Sequence, residues 1–300
     1  MSTAPYVIVN PAAGRGRALR SVSWLRERLE RRPEARLELS RRAGDARAMA
    51  AEAVREGHDR VIAIGGDGTV QEVVNGLLSS GAATASLGIV PLGSGNDLAR
   101  SLALPTDLAS AWRLAIGHGT RPIDVARASN GDGEHRWFAS AGGIGFDAQV
   151  AAAMASRRGW QWGRAGYLLT TLAELRRFEN RRVRLVVDGE SVTRDVLFVA
   201  IANGAYYGGG MRIAPSALPD DGSLDLCVVG DVSRLTVLRQ LPNLYRGTHV
   251  DHPAVEMRAG SVIEVEGDAG TRIHLDGEPF GGLPMRVSLT PRALEVAGFQ

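Results

Sequence analysis

Residues Val61-Ile62-Ala63-Ile64-Gly65-Gly66-Asp67-Gly68-Thr69 decide how the first half of this chain is read. A short apolar run that stops at glycine and is followed by a helix-forming stretch, Thr69 to Leu78, reads as strand, tight turn and helix. The same grammar recurs on both sides of it. Tyr6-Val7-Ile8-Val9 runs into Asn10-Pro11-Ala12-Ala13-Gly14-Arg15-Gly16 and then a helix of about Ala18 to Arg31, whose Leu19, Val22, Leu25 and Leu29 share a face. Arg36 to Leu39 reads as a strand and Asp45 to Glu56 as an alanine-rich helix. Leu87-Gly88-Ile89-Val90 leads into Gly93-Ser94-Gly95-Asn96-Asp97 and a short helix, Asn96 to Leu102. Strands alternating with helices imply a parallel sheet with right-handed crossovers.

From about Val125 the texture changes to short β-rich runs: 137–140, 183–187, 196–202, 224–229, 262–265, 272–275 and 286–289, punctuated by turns such as Asp188-Gly189 and Asp276-Gly277. One helical stretch interrupts them, about Asp147 to Phe178. The expected organisation is an α/β domain over residues 1–125 and an antiparallel β domain over 126–291, with a hinge close to Asp124. The C-terminal tail, about 292–300, is allowed to return to the first domain.

Composition narrows the chemistry. The 35 basic residues are all arginine. A Walker A loop and a protein-kinase site each need a lysine on the phosphates, so both are excluded. A net charge of +2 gives no argument for nucleic acid. Cys227 is the single cysteine, which excludes an internal disulfide or a cysteine-based zinc site, and its apolar neighbours make it a buried thiol. No apolar run approaches the roughly 18 residues of a membrane span, and the N-terminus lacks a basic leader, so the expectation is a cytoplasmic protein. The six histidines show no metal spacing and read as surface or core residues.

In a parallel sheet the three glycine-rich turns fall together at the strands' C-terminal edge, where ligands bind. Glycine lets backbone approach closely, and amides at helix N-termini point at an anion, which is a lysine-free way to hold a polyphosphate. Thr69 can serve as the cap of its helix, leaving Asp67 to reach a metal or a hydroxyl; Asp97 repeats the arrangement. Two carboxylates beside a phosphate cradle suggest Mg²⁺. In the second half, Asp276-Gly277-Glu278 offers two carboxylates around a glycine, though Asp-Gly is equally what a hairpin turn demands.

Together these residues resemble the diacylglycerol kinase catalytic-domain family, especially its bacterial lipid kinases. The likeness runs nearly end to end: Asn10-Pro11 with Gly14, Gly65 to Thr69 with Glu72, Leu92 to Arg100, Gly143-Ile144-Gly145-Phe146-Asp147-Ala148, Asn203-Gly204, Gly208 to Met211, Ala214-Pro215 with Ala217, Asp220 to Asp225, and Asp276-Gly277-Glu278-Pro279. The resemblance implies a first domain like that of NAD kinases and phosphofructokinases, a β-sandwich second domain, and ATP meeting its acceptor in the cleft between them. It would place ATP on Asn10, Pro11, Ala12, Ala13 and Gly14, on Gly66, Asp67, Gly68, Thr69 and Glu72, on Ser94, and on Ser40 where relatives carry threonine. The neighbouring Gly65, Gly93, Gly95 and Asn96 complete that cradle. Asp67, Asp97 and Asp124 would organise a metal–water network, and a second Mg²⁺ would sit at Asp221 with the carbonyls of Leu218 and Ser223. Asp276 or Glu278 becomes the general base, the other orienting metal or substrate.

Met154 to Phe178 interleaves Trp160, Trp162, Tyr167, Leu168, Leu169, Leu172 and Leu175 with Arg157, Arg158, Arg164, Arg176 and Arg177. That pattern suits the surface of an anionic membrane, or equally a core-packed helix with a solvated arginine face. The expected partner is a lipid substrate at the inner membrane face, with diacylglycerol as one candidate acceptor; a homodimer is compatible. The alternatives are an NAD kinase-like enzyme and a catalytically silent nucleotide sensor.

Overall fold

The computed structural model describes residues 4–30, 32–79, 83–156, 163–176 and 178–298, and the chain divides into two compact units. The first comprises residues up to Val125 together with Pro291–Gln300; the second is Ala126–Thr290.

In the first unit, β1 (Tyr6–Val9), α1 (Ala13–Leu29), β2 (Arg36–Leu39), α2 (Asp45–Arg55), β3 (Arg60–Gly65), α3 (Asp67–Leu77), β4 (Ser86–Pro91), α4 (Asp97–Ser101) and α5 (Leu108–Ala115) follow in order. The strands pair in parallel as β2-β1-β3-β4. Val7, Val9, Ile62, Ile64 and Val90 pack against Ala18, Val22 and Leu25 of α1 and Trp112 of α5. Alternate residues Ile8, Val61 and Ala63 are buried too. Strands buried on both faces read as continuous apolar runs, which is why these were legible. Helices α2 and α3 approach closely at Gly76, where a Cβ would lie 2.4 Å from the Arg47 carbonyl.

The chain leaves by β5 (Thr120–Asn130). The second unit holds β6 (His135–Phe138), β7 (Ala141–Gly145), α6 (Phe146–Ser156), α7 (Gly163–Leu175), β8 (Arg181–Val187), β9 (Glu190–Ala202), β10 (Leu224–Gly230), α8 (Arg234–Arg246), β11 (Val255–Gly260), β12 (Val262–Gly267), β13 (Arg272–Leu275) and β14 (Glu278–Gly282). Long β9 pairs antiparallel with β8 along its first half and with β7 and β10 along its second. One apolar core, containing Phe138, Ile144, Leu185, Ile201, Ile263 and Phe280, lies on one side of these strands. A second, with Phe146, Phe178, Phe198, Tyr207, Met211 and Cys227, gathers the helices. Finally β15 (Met285–Ala297) pairs antiparallel with β12 through Ser288 and, at Val296, parallel with Leu87 of β4.

The single helix expected over Asp147 to Phe178 is two helices, α6 and α7. Residues 157–162, with Arg157, Arg158, Trp160 and Trp162, lie outside the described residues, as does Arg177. Helices α5 and α8 and strands β7 and β11 add to what the patterning indicated.

Candidate functional site

The register sets Val9 beside Leu39 and Ile64, and Ile64 beside Val90, so all four strands end at one edge. The three glycine turns leave from that edge. Gly14, Arg15 and Gly16 all take left-handed backbone, with φ of 59°, 57° and 80°. The turns pack backbone to backbone: a Cβ on Gly14 would meet the Leu92 carbonyl at 2.3 Å, and one on Gly93 would meet Gly66 Cα at 2.4 Å.

Two side chains tie the turns together. Asn10 accepts the Ala12 N–H at Oδ1 (3.1 Å) and donates from Nδ2 to Thr69 Oγ1 (3.0 Å). Asp67 accepts the Asn96 N–H at 2.7 Å and the Asp97 N–H at 2.6 Å, one on each carboxylate oxygen. One expectation is therefore corrected: Thr69 is not the helix cap, and Asp67 is not left free by such a cap but accepts an amide of the third turn on each oxygen. The N-cap is Gly66, with no side-chain capping bond, so the first-turn amides of α3 are not occupied by a cap. Burial pushes the Asp67 carboxyl above its ordinary range, while the amides of Asp97 and Asn96 pull it down.

Glu72 caps α2 from the neighbouring helix, accepting the Gly44 N–H (2.8 Å) and the Ala46 N–H (3.0 Å). Ser40 is buried at the end of β2, its N–H donated to Val9 (2.9 Å), and Ser94 follows Gly93 in the third turn. Asp97 and Asp124 are buried; Asp124 accepts the Arg292 N–H at 2.7 Å and so pins the returning C-terminal segment. Among the described residues no three Asp, Glu, His or Cys side chains converge as a metal-holding group.

In the second unit Asp276 and Gly277 form the two-residue connection between β13 and β14, with φ of 49° and 85°. Positive φ at both positions is the type I′ hairpin geometry that Asp-Gly favours. The Asp276 carboxylate accepts three amides, from Ala139 (3.1 Å), Ser140 (3.0 Å) and Ala141 (3.0 Å). Glu278, two residues on, is exposed at the start of β14.

Asp188-Gly189 is built to the same plan, with φ of 46° and 92° and a carboxylate accepting the Val262 (2.8 Å) and Ser261 (3.1 Å) amides. Those amides, Val262 first, hold the Asp188 carboxyl below the ordinary carboxylate range. A folded pKa below the unfolded one gives stability that is present above the unfolded value, 3.8, and lost as pH falls through the folded value. Asp188→Asn is accordingly expected to melt below the parent protein at pH 7, the gap closing in acid. A gap that stays constant between pH 7 and pH 2.5 would contradict the assignment.

His274, set aside in the sequence, is 3% exposed. Its Nε2 lies 3.3 Å from Asp147 Oδ2 and its Nδ1 accepts the Gly277 N–H at 3.3 Å, linking α6 to the Asp276-Gly277 turn. Tyr207 stacks on its ring at 6.2 Å. Burial raises the Asp147 carboxyl, opposed by the bond to His274. Gly143 makes room for the pair: a Cβ there would sit 1.9 Å from Asp147 Oδ2. No sequence spacing signals this contact, whose partners are 127 residues apart.

Asp147 also borders an apolar slot lined by Phe146, Phe198, Met211, Val237, Leu241 and Leu244, among others. Its enclosed cavity measures about 80 Å³ and its total empty volume, open mouth included, about 680 Å³. His249 is in its wall, 3% exposed; Nε2 is 3.1 Å from the Ile213 carbonyl, while Nδ1 has no hydrogen-bond partner among the described residues. Burial depresses its pKa, opposed by the bond to Ile213. Cys227, beside it, is a buried thiol whose pKa burial pushes up to about 12. At the far loop, Asp221 accepts the Ser223 N–H (3.0 Å) after an exposed Leu218, and Asp225 is raised by burial with Asp221 adding to it.

Comparison with known proteins agrees with this architecture. Residues 4–128 match the diacylglycerol kinase catalytic domain and residues 140–298 the YegS C-terminal NAD kinase beta sandwich-like domain. The chain is 35% identical over 292 residues to the diacylglycerol kinase of Mycobacterium tuberculosis H37Rv, covering 96% of this chain and 93% of that protein. It is 32% identical over 255 residues to a probable lipid kinase YegS-like of Pseudomonas syringae pv. syringae, covering 85% and 80%. A crystal structure of a protein provisionally described as a diacylglycerol kinase from Bacillus anthracis str. Sterne superposes with a TM-score of 0.82 at 25% identity, covering 99% of this chain and 95% of that one. The parallel α/β unit with its interlocked glycine turns and the antiparallel sandwich that follows it place this chain in the bacterial diacylglycerol kinase and YegS-like lipid kinase family.

Proposed function

We propose that this protein transfers the terminal phosphoryl group of Mg·ATP to a primary hydroxyl of a lipid such as diacylglycerol. The observation that carries the choice of a lipid acceptor is the apolar slot of the second unit, a cavity suited to hydrocarbon and unsuited to a nucleotide such as NAD. The uncapped N-terminus of α3, with Gly66, Asp67, Gly68 and Thr69 at its first turn, supplies amides and a helix dipole for the nucleotide's phosphates. Asn10 and Asp67 hold the first and third turns against it, so that Ala12, Gly14, Ser94 and Gly95 present backbone to the same ligand.

Mg²⁺ is commonly bound by one or two carboxylates plus substrate phosphates rather than by a protein cage, which suits a buried Asp97 beside the cradle and the lack of a three-carboxylate group among the described residues. When bound with ATP it would neutralise charge on the transferred group. The Leu218–Ser223 loop, tightened by Asp221, is the candidate for a second, structural Mg²⁺. The acceptor's proton passes to Glu278, because the Asp276 carboxylate is already surrounded by three amides and serves to fix the turn.

The test is incubation with γ-labelled ATP, Mg²⁺ and, separately, diacylglycerol, monoacylglycerol, phosphatidylglycerol, ceramide or NAD. Label in a lipid product, abolished by EDTA, is expected. Label in NAD would replace the reading with an NAD kinase, and tight ATP binding without labelled product would make the protein a sensor.

A further inference from the structure

Helices α7 and α8 flank the apolar slot, and each also carries two leucines on its exposed side. Among the described residues the exposed large hydrophobics are Leu169, Leu172, Leu235 and Leu238 on these two helices, plus Leu19 and Leu218 elsewhere. On α7, among the described side chains, Thr170, Thr171 and Leu175 are buried, at 0%, 3% and 4% exposure, while Leu169 and Leu172 stand 44% and 36% exposed. Two leucines outside and two threonines inside depart from the usual order of a core-packed helix. On α8 the slot takes Val237, Gln240, Leu241 and Leu244, at helical spacing on one face. The opposite face presents Arg234, Leu235, Leu238, Arg239, Pro242 and Arg246, all exposed.

We infer that the outer faces of α7 and α8 dock on an anionic lipid bilayer, with the four leucines entering the interface and the arginines meeting headgroup phosphates. Charge selects this occupant over a second copy of the chain. Residues 234–246 contain three arginines and no carboxylate, so two copies would bring like charges together, whereas an anionic surface complements them. Exposed leucine with arginine on a helix face is the pattern of interfacial helices. Continuity with the slot gives the docking a use: a lipid leaving the bilayer between α7 and α8 enters apolar surroundings directly. That use rests on the lipid-kinase reading; the docking itself does not.

The experiment is flotation of the full chain with phosphatidylcholine vesicles and with vesicles of equal parts phosphatidylcholine and phosphatidylglycerol. The parent protein is expected to float with the second and much less with the first. Leu235→Gln with Leu238→Gln is expected to lower partitioning about ten-fold, and Leu169→Gln with Leu172→Gln to act likewise. Arg234→Gln, Arg239→Gln and Arg246→Gln together are expected to lower it by at least ten-fold at low salt and to flatten its salt dependence. None of these side chains lines the slot, so phosphorylation of a short-chain, water-dispersed diacylglycerol serves as the folding control and is expected to persist. Unchanged flotation in all three variants overturns the inference. So does a parent protein that floats equally with both vesicles, or a leucine variant that turns a sedimenting dimer into a monomer. Vesicle binding without lipid turnover by the parent protein supports docking and counts against the kinase reading alone.

Discussion

Glu278→Gln is expected to lower kcat on lipid by roughly 10²- to 10⁴-fold, the range for loss of a general base, with ATP affinity and thermal stability close to those of the parent protein. Glu278 is exposed, so its replacement disturbs no packing. Asp276→Asn is expected to behave in the opposite sense. Its carboxylate accepts three amides, and an asparagine can accept with only one oxygen, so at least one buried amide loses its partner at a cost of about 1–3 kcal/mol. Activity falls secondarily as the turn loosens, and low temperature should recover part of it. Urea unfolding and steady-state kinetics on the two variants separate the roles. If Asp276→Asn unfolds like the parent protein and yet loses more turnover than Glu278→Gln, the base is Asp276.

Asp67→Ala is expected to have the larger structural effect. It removes the acceptor for two backbone amides, 29 and 30 residues away, that hold the third turn to the second. Two unsatisfied amides in a buried setting cost roughly 2–5 kcal/mol together. The cradle loses its geometry with them, so nucleotide affinity should fall at least ten-fold even without added metal. Calorimetric titration with ATP in EDTA reads that loss directly. A variant that keeps parental stability and metal-free ATP affinity, while losing only Mg²⁺-dependent turnover, would return Asp67 to a purely metal-organising role.

The first unit could be read from sequence because its strands are buried on both faces and end in glycine, leaving apolar runs with sharp stops. The rest was less visible for identifiable reasons. Strand β7 reads Ala141-Gly142-Gly143-Ile144-Gly145, a composition that argues for a loop. It is a strand because it pairs antiparallel with β9 and β13, and it is glycine-rich because side chains at Gly142 and Gly143 would collide with Leu275 and Asp147. In α8 the slot-facing Val237, Leu241 and Leu244 are interleaved with exposed Leu235 and Leu238, and Pro242 lies inside the helix, so no clean period of 3.6 survives. The glycine turns could be placed together at one sheet edge from sequence, but their fasteners were hidden. Asn10 to Thr69 spans 59 residues and Asp276 to Ala139 spans 137, and nothing local distinguishes such a carboxylate from a catalytic one. Asp276-Gly277 does form the hairpin turn that its sequence allows, and the chemical reading stays a proposal that now rests on Glu278.

The first unit is discontinuous in the chain: it breaks at Val125 and resumes at Pro291. During synthesis, therefore, the first unit is not complete when its main segment emerges. At roughly 5–20 residues per second, the ribosome needs about ten to thirty seconds to deliver the intervening stretch and then the last strand. Until then β4 lacks its partner at Val296 and Asp124 lacks the Arg292 amide. The β-sandwich is complete in covalent terms before the older half is. A nascent chain stopped near residue 290 would carry the whole sequence of the second unit and an open sheet edge on the first, and premature termination there is where chaperone dependence should concentrate.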